Sequence, residues 1–391
     1  MLKCTSVYTY EIDDPEAALK EINKQLEEGT TLLEHTVGIV MCHSEFIRSG
    51  VMGFVCKSLP FNLVGITTSA QAVNNEASEL ILTIFIITSD DAWFVTGMAE
   101  NVADGVDAPV RAAFGAVAGK IHEPPKLAIV FPPFVSDNAG DAYIDAFRQV
   151  IPETPIYGAI ASDDSINYEE CRTLYNGECF DAAMPFVLCY GNIAPRFFLG
   201  SLPEDRVMPY KSEITKSCGP TVHEINNVNA YEYFEGIGFA SGGAFIERYT
   251  FVPFAINQKK RDDYDGIPIV RGFGFFTEGG SAVFRGHVDE GSTITILKCE
   301  PSDVLSVTRQ KIEQVNELKG VNGALLFSCT GRRLMTLDLG SLAELEAARG
   351  ALNPGTPFMM GYAGGELCPS SIRGSVPTNR FHNYSLVILV L

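Results

Sequence analysis

The chain has 391 residues, 46% of them hydrophobic and 20% charged, a length that points to about two domains and a composition that excludes a disordered chain. Its net charge of -19 excludes the basic stripes on which nucleic-acid binding depends. The most apolar windows, residues 80–87 and 386–391, have the length of strands and fall far short of a bilayer span.

The N-terminal residues lack a basic region followed by a long apolar core, so a cytoplasmic protein is expected. Ten cysteines fit that expectation, because several lie in apolar runs where a free thiol behaves as a small hydrophobe. With no Cys-x-x-Cys pair, neither a metal nor a cofactor is called for. Cys42-His43 reads as a core thiol beside a strand-end histidine.

In chain order, residues 8–10 predict a short strand. Asp14-Pro15-Glu16 then opens a helix, with Leu19, Ile22 and Leu26 on one face and Gly29 at its end. Buried strands are expected at 36–41 and 61–66, the first ending in Cys42-His43-Ser44-Glu45 and the second in Thr67-Thr68-Ser69. Residues 80–88 and 92–96, separated by Ser89-Asp90-Asp91, predict a hairpin, and 106–121 a helix. The pattern recurs: a strand at 126–131, a helix at 141–151 aligning Ile144, Phe147 and Ile151, and a strand at 155–160 ending in Ala161-Ser162-Asp163-Asp164. A hairpin-like pair follows at 182–190 and 196–200. Leu63-Val-Gly-Ile-Thr-Thr-Ser69 and Ile156-Tyr-Gly-Ala-Ile-Ala-Ser162 carry Gly and Ser in register, which implies an internal duplication of a strand, helix, strand and hairpin unit.

Residues 201–221, rich in Pro, Lys, Glu and Asp, mark a junction between domains at 1–203 and 204–391. Beyond it, 229–235 predicts a helix and 246–254 a strand. Residues 267–276 and 281–286 predict a meander turning at Glu278-Gly-Gly280, and 291–298 alternate like a half-exposed strand. Pro301-Ser-Asp303 starts a helix carrying Leu305, Thr308, Ile312 and Val315 on one side. Two apolar runs, 323–328 and 357–362, flank a helix opened by a capping box at Ser341-Leu-Ala-Glu344. Residues 384–391 are expected to pair beside the second run. The fold class is thus mixed α/β, with duplicated units whose mixed and antiparallel sheets are covered by helices.

Past the ends of the two runs stand a thiol (Cys329), a guanidinium (Arg332) and a carboxylate (Glu366), and strand ends are where ligands bind in layered α/β sheets. Arg332 suits a carboxylate and Glu366 an amino group, so together they read a zwitterion; the alternative is that the two pair with each other. Cys329 is either a pocket wall or a packed thiol. Gly361, Gly364 and Gly365 point to tight turns, since the Walker spacing and its Lys are missing. Ser69, Ser162, Asp163 and Asp164 end strands and are equally explained as turn residues.

Gly323-Ala-Leu-Leu-Phe-Ser-Cys-Thr-Gly-Arg-Arg-Leu334 followed by Gly361-Tyr-Ala-Gly-Gly-Glu-Leu-Cys-Pro369 resembles the paired signature of the C-terminal domain of the FIST family of sensory proteins. Val222-His-Glu-Ile-Asn-Asn-Val-Asn-Ala-Tyr-Glu-Tyr-Phe234 is similar to that domain's entry segment, and Glu290-Gly-Ser-Thr-Ile-Thr-Ile296 to its middle strand. Val64-Gly-Ile-Thr-Thr-Ser69, Tyr157-Gly-Ala-Ile-Ala-Ser-Asp-Asp164 and Leu174-Tyr-Asn-Gly177 resemble the companion N-terminal domain, although Ala70-Gln71 stand where the family often has Gly-Glu. The resemblance implies a stand-alone intracellular sensor that is not an enzyme. It binds a small-molecule ligand, an amino acid or a relative of one, and passes its output to a separate signalling protein. The expected ligand residues are Ser328, Cys329, Arg332, Gly361, Tyr362, Glu366 and Asp163. Two other readings are an enzyme with Cys329 as nucleophile and His43 or His382 as base, and an interaction scaffold without a ligand. The ligand's identity and the oligomeric state are left open.

Overall fold

A computed structural model describes residues 1–118, 123–135, 140–165, 168–246, 251–258, 268–370 and 377–391. Three six-stranded sheets repeat one strand order. The first runs Leu2–Thr9, Leu82–Ser89, His35–Cys42, Asn62–Thr67, Thr173–Tyr175, Glu178–Phe180. The second runs Ala92–Ala99, Met184–Gly191, Leu127–Val130, Ile156–Ala159, Glu366–Ser370, Thr378–His382. The third runs Arg196–Gly200, Leu386–Val390, Ala324–Cys329, Phe358–Ala363, Gln71–Val73, Glu76–Ser78. In each, the third and fourth strands are parallel and every other neighbour is antiparallel.

The duplication seen in the sequence therefore extends to a third copy, and the copies exchange parts in a cycle. The short hairpin after Asn62–Thr67 completes the third sheet, the one after Ile156–Ala159 completes the first, and the one after Phe358–Ala363 completes the second. Residues 1–203 and 204–391 consequently share the second and third sheets, while the first is built from residues 2–180 alone. The hairpin at Thr173–Tyr175 and Glu178–Phe180 turns on Asn176 and Gly177, both at positive φ, as a two-residue turn that follows strand twist demands.

Strand alternation builds two kinds of core. Val37, Ile39 and Met41 of the first sheet, Leu127 and Ile129 of the second and Leu325 and Phe327 of the third point inward and meet in one buried cluster. The intervening residues point outward beneath helices. Val40 and Cys42 lie under Pro15–Gly29 and Val51–Ser58, Ala128 and Val130 under Asp107–Ala118 and Gly140–Val150, and Ala324 and Leu326 under Pro301–Asn316 and Ala343–Ala351. Being covered on both faces, the central strands read as unbroken apolar runs. At the centre, the buried Tyr157 hydroxyl donates across to the Leu325 and Val387 carbonyls at 2.5 and 3.1 Å.

Several expectations are corrected. Leu82–Ser89 and Ala92–Ala99 are not a hairpin: each is taken up over eight residue pairs by a different sheet, and the Ser89 hydroxyl, accepting from the Asp91 and Ala92 N–H groups, turns the chain between them. Met184–Gly191 and Arg196–Gly200 part in the same way. The closing strand Leu386–Val390 pairs with Ala324–Cys329, not with Phe358–Ala363. Glu344 does not cap its helix, because it is wholly buried against Arg332. Near 246–254 the strands are Ala244–Phe245 and Phe254–Asn257. Residues 119–121, 247–250 and 267 of the expected elements lie outside the described residues.

The third copy differs in carrying residues 201–300 between its outer strand Arg196–Gly200 and the helix Pro301–Asn316. This insertion forms an antiparallel sheet ordered Ile269–Arg271, Phe254–Asn257, Thr293–Ile296, Ser212–Cys218, Thr221–Ile225, Ala282–Phe284, Phe273–Phe276. The helix Ala230–Gly236, capped by the Asn229 side chain, packs Phe234 into its aromatic core. Arg271, buried at 1% exposure, joins it to the rest of the chain by donating to both Asp141 carboxylate oxygens at 3.2 and 3.1 Å and to the Phe381 carbonyl at 3.2 Å.

Gly65 and Gly158 hold corresponding places in their parallel pairs, and a Cβ on either would lie 1.7 Å from the Val40 carbonyl oxygen or 1.8 Å from that of Val130. Backbone on both sides leaves no side chain to give way. Gly65→Ala or Gly158→Ala should destabilise the protein by about 3 kcal/mol in urea unfolding. Gly115→Ala, where a Cβ meets nothing within 4 Å, should leave stability unchanged or raised.

Candidate functional site

The carboxyl ends of the three parallel strand pairs come together, and the turns that follow them are bonded to one another. The Thr68 N–H donates to the Cys42 carbonyl (3.0 Å), Ser162 N–H to that of Thr67 (3.1 Å), Tyr362 N–H to that of Ala70 (3.2 Å) and Gly364 N–H to that of Ile160 (2.9 Å). Side chains add the Ser162 hydroxyl donating to the Tyr362 carbonyl at 2.9 Å and that of Thr330 to Ala363 at 3.0 Å. Asp163 organises its own loop, accepting from the Ser165 N–H and hydroxyl and from the Glu170 N–H at 2.6 Å.

Cys329 and Glu366 lie on the inward side of this junction. Burial, with the Glu366 carboxyl adding to it, pushes the Cys329 thiol up from its usual range. Burial likewise raises Glu366 well above the ordinary carboxylate range, which favours its protonated form. One Glu366 oxygen is bonded to the Ser385 hydroxyl at 2.6 Å. Its other oxygen, Oε1, together with Thr68 Oγ1 and Ser69 Oγ, has no hydrogen-bond partner among the described residues. Beside Cys329 stand Tyr168, stacked on Phe134 at 4.6 Å, and Tyr384. The Arg285 guanidinium, contributed by the insertion, lies over Phe134 at 5.3 Å.

Arg332 and Glu366 are not brought together, and strand alternation is the reason. Ser328 and Tyr362 face the outer helices, whereas Cys329, Gly361 and Ala363 face inward. Arg332, on the helix Thr330–Thr336, falls in the outer layer with zero exposure. Its Nη2 donates to Glu344 Oε1 at 2.7 Å and to the Thr308 hydroxyl at 2.8 Å, and its Nε to Glu344 at 3.0 Å and the Ser328 hydroxyl at 3.2 Å. Glu344 also accepts from Ser328 at 2.9 Å and Thr308 at 2.7 Å. Arg332 acts on Glu366 only electrostatically. Tyr362 lies under the Arg333 guanidinium at 5.8 Å. A Cβ on Gly361 would meet Met41 Sδ at 2.5 Å, so this glycine serves close packing between sheets.

Neither histidine is placed as a base for Cys329. His43 Nδ1 accepts from the Glu45 N–H at 3.2 Å, which leaves Nε2 to donate to Asp164 at 3.1 Å. His382 Nε2 meets the Cys368 carbonyl at 3.2 Å, and burial lowers this imidazole to about 4. Among the described residues no group of three or more His, Cys, Asp or Glu side chains is arranged to hold a metal ion. Thr68, Ser69, Ser385 and Arg285 were not among the expected ligand residues. The Thr-Thr-Ser turn was the only signal for the first two.

Three helix-covered sheets around a shared interior, with polar groups gathered at the strand ends, define a mixed α/β protein of repeated units. The chain belongs to the FIST family: the FIST N domain matches residues 36–228 and the FIST C domain residues 231–369. No curated protein matches it. Among solved structures, a cyanuric acid hydrolase from A. caulinodans is similar over 49% of this chain and 72% of that chain, at 10% identity and a TM-score of 0.25, a likeness that carries no argument about fold or chemistry.

Two measurements check this geometry. Arg332→Met strands the Glu344 carboxylate and should cost about 3–5 kcal/mol in urea unfolding, whereas Arg332→Met combined with Glu344→Leu should recover most of the loss. For His382 the folded-state value lies below the unfolded one near 6.5, so its contribution is complete above pH 6.5 and lost as pH falls toward 4. The protein should lose about 3 kcal/mol of stability across that window through this group. His382→Gln, which keeps a donor for the Cys368 carbonyl, should lose less.

Proposed function

We propose that the chain is a sensory protein of signal transduction that binds a small ligand carrying an amino group, an amino acid or a close relative, where the strand ends meet. Membership of the FIST family supports the sensor part of this reading. The observation that carries the ligand part is the set of buried, unpartnered polar atoms in the segments that follow two of the parallel strands: Thr68 Oγ1, Ser69 Oγ and Glu366 Oε1. Native interiors pair such groups, so groups left over at a strand-end junction are suited to a polar guest. Glu366 receives the amino group, and Arg285, for which no carboxylate partner is found among the described residues, takes a carboxylate in place of Arg332.

The raised Cys329 thiol and the engagement of both histidines with other groups support a binding role over nucleophilic catalysis. No helix among the described residues is long and apolar enough to cross a membrane. Under this proposal the protein works in the cytoplasm and hands its output to a separate protein.

The test is calorimetric titration with the common amino acids, alongside thermal unfolding. A binder at a hundred times its dissociation constant should add about 2.7 kcal/mol of stability. An ammonium group on Glu366 requires the carboxylate form, which burial disfavours, so binding should draw the group toward deprotonation with proton release, and affinity should rise with pH. Glu366→Gln should abolish both the binding and the proton release. Absence of saturable binding across the panel would refute the proposal.

A further inference from the structure

The insertion encloses a space that the proposed ligand does not use. A cavity of about 210 Å³ lies between the helix Ala230–Gly236 and the strands Phe254–Asn257 and Thr293–Ile296. Its walls include Tyr233, Phe234, Phe254, Ile294 and Ile296, and it shares no lining residue with the strand-end junction. Tyr210 and Ile237 also line it and are 83% and 43% exposed, so the space opens to solvent past these two side chains.

We propose that this cavity is a second binding site, for a compact uncharged aromatic molecule of one ring or two fused rings. No charged side chain lines it, which disfavours a zwitterion or an anion. The polar groups in the wall are already engaged: the Tyr233 hydroxyl donates to the Ser212 hydroxyl at 2.9 Å, and the Thr295 hydroxyl is bonded to the Met208 carbonyl at 3.0 Å. Ordered water needs two to four polar partners, and with the Tyr233 and Thr295 hydroxyls taken up only that of Tyr210, at the exposed mouth, remains, so an apolar guest displaces little that is bound. Size sets the upper limit, because a dry apolar cavity of roughly 150 Å³ accommodates benzene. The rings already present select for aromaticity. Phe234 meets Tyr233 at 5.3 Å and 79° and Phe254 at 5.6 Å and 71°, edge-to-face arrangements that a further ring extends.

The full chain should be titrated with indole and with toluene, read by calorimetry and by thermal unfolding. Saturable one-to-one binding with a raised unfolding temperature is expected for both, and excess glycine should not compete. Ile294→Phe fills the space and should weaken both at least tenfold. Ile237→Trp, at an exposed position that tolerates substitution, narrows the mouth and should do the same if the first variant folds poorly. Glu366→Gln should bind indole as the unchanged protein does, so failure of the strand-end reading leaves this one standing. Two results would overturn the proposal: no saturable response to either probe up to its solubility, or binding undiminished in folded Ile237→Trp. Concentration-dependent self-association abolished by Ile237→Trp would overturn it too, by giving the cavity to a side chain of a second copy.

Discussion

The structure depends on a constraint of burial: none of the three repeated units closes its own sheet. Each sends its short hairpin to cover the edge strand of a neighbour, Gln71–Val73 on Phe358–Ala363, Thr173–Tyr175 on Asn62–Thr67, and Glu366–Ser370 on Ile156–Ala159. An uncovered edge of this length would present unpaired backbone groups beside strongly apolar strands. The inward faces share the same dependence, since Ile39, Ile129 and Phe327 find apolar neighbours only when all three sheets are assembled. Hydrogen bonding reinforces the arrangement where hydrophobic contact alone is indifferent to register, as when Tyr157 spans from the second sheet to the third.

Alternation along the strands also sorts the chemistry. Neighbouring residues Ser328 and Cys329 enter opposite layers: the first joins a buried ionic cluster with Arg332, Glu344 and Thr308, the second the apolar interior. A charge in the outer layer survives burial because its partner is buried with it and both are hydrogen-bonded. In the inner layer no cation is bonded to Glu366 among the described residues, and burial raises it well above the ordinary carboxylate range, favouring the neutral form. Within one repeat, then, the two ways a protein tolerates a buried acid stand on opposite faces of the same layer.

Much of the fold could be read from residue patterns because both-face burial leaves a plain mark. The run at 36–41 and the two runs flanking Cys329 are strands, and the helices at Pro15, Gly140 and Pro301 begin within a residue of their expected starts. Partner choice was not legible. Ser89-Asp90-Asp91 looks like a hairpin turn, and only the competing eight-residue registers offered by strands far away in the chain send its two sides to different sheets. The third repeat was hidden by the hundred residues placed between its outer strand and its helix. Glu344 carried a capping-box signature, and local sequence holds no trace of the guanidinium that reaches it from twelve residues back. The family likeness pointed to these strand ends, while the face on which each side chain falls required counting residues along each strand.

The cyclic exchange bears on how such a chain is made. Leu386–Val390 forms the inner neighbour of Ala324–Cys329, and it also supports Arg196–Gly200, a strand synthesised nearly two hundred residues earlier. Helices and single hairpins can form as the chain leaves the ribosome, but the common interior has no lid until Leu386–Val390 arrives. The nascent protein therefore carries an open apolar trough until residues 386–390 have been made, and protection by chaperones matters most before that point.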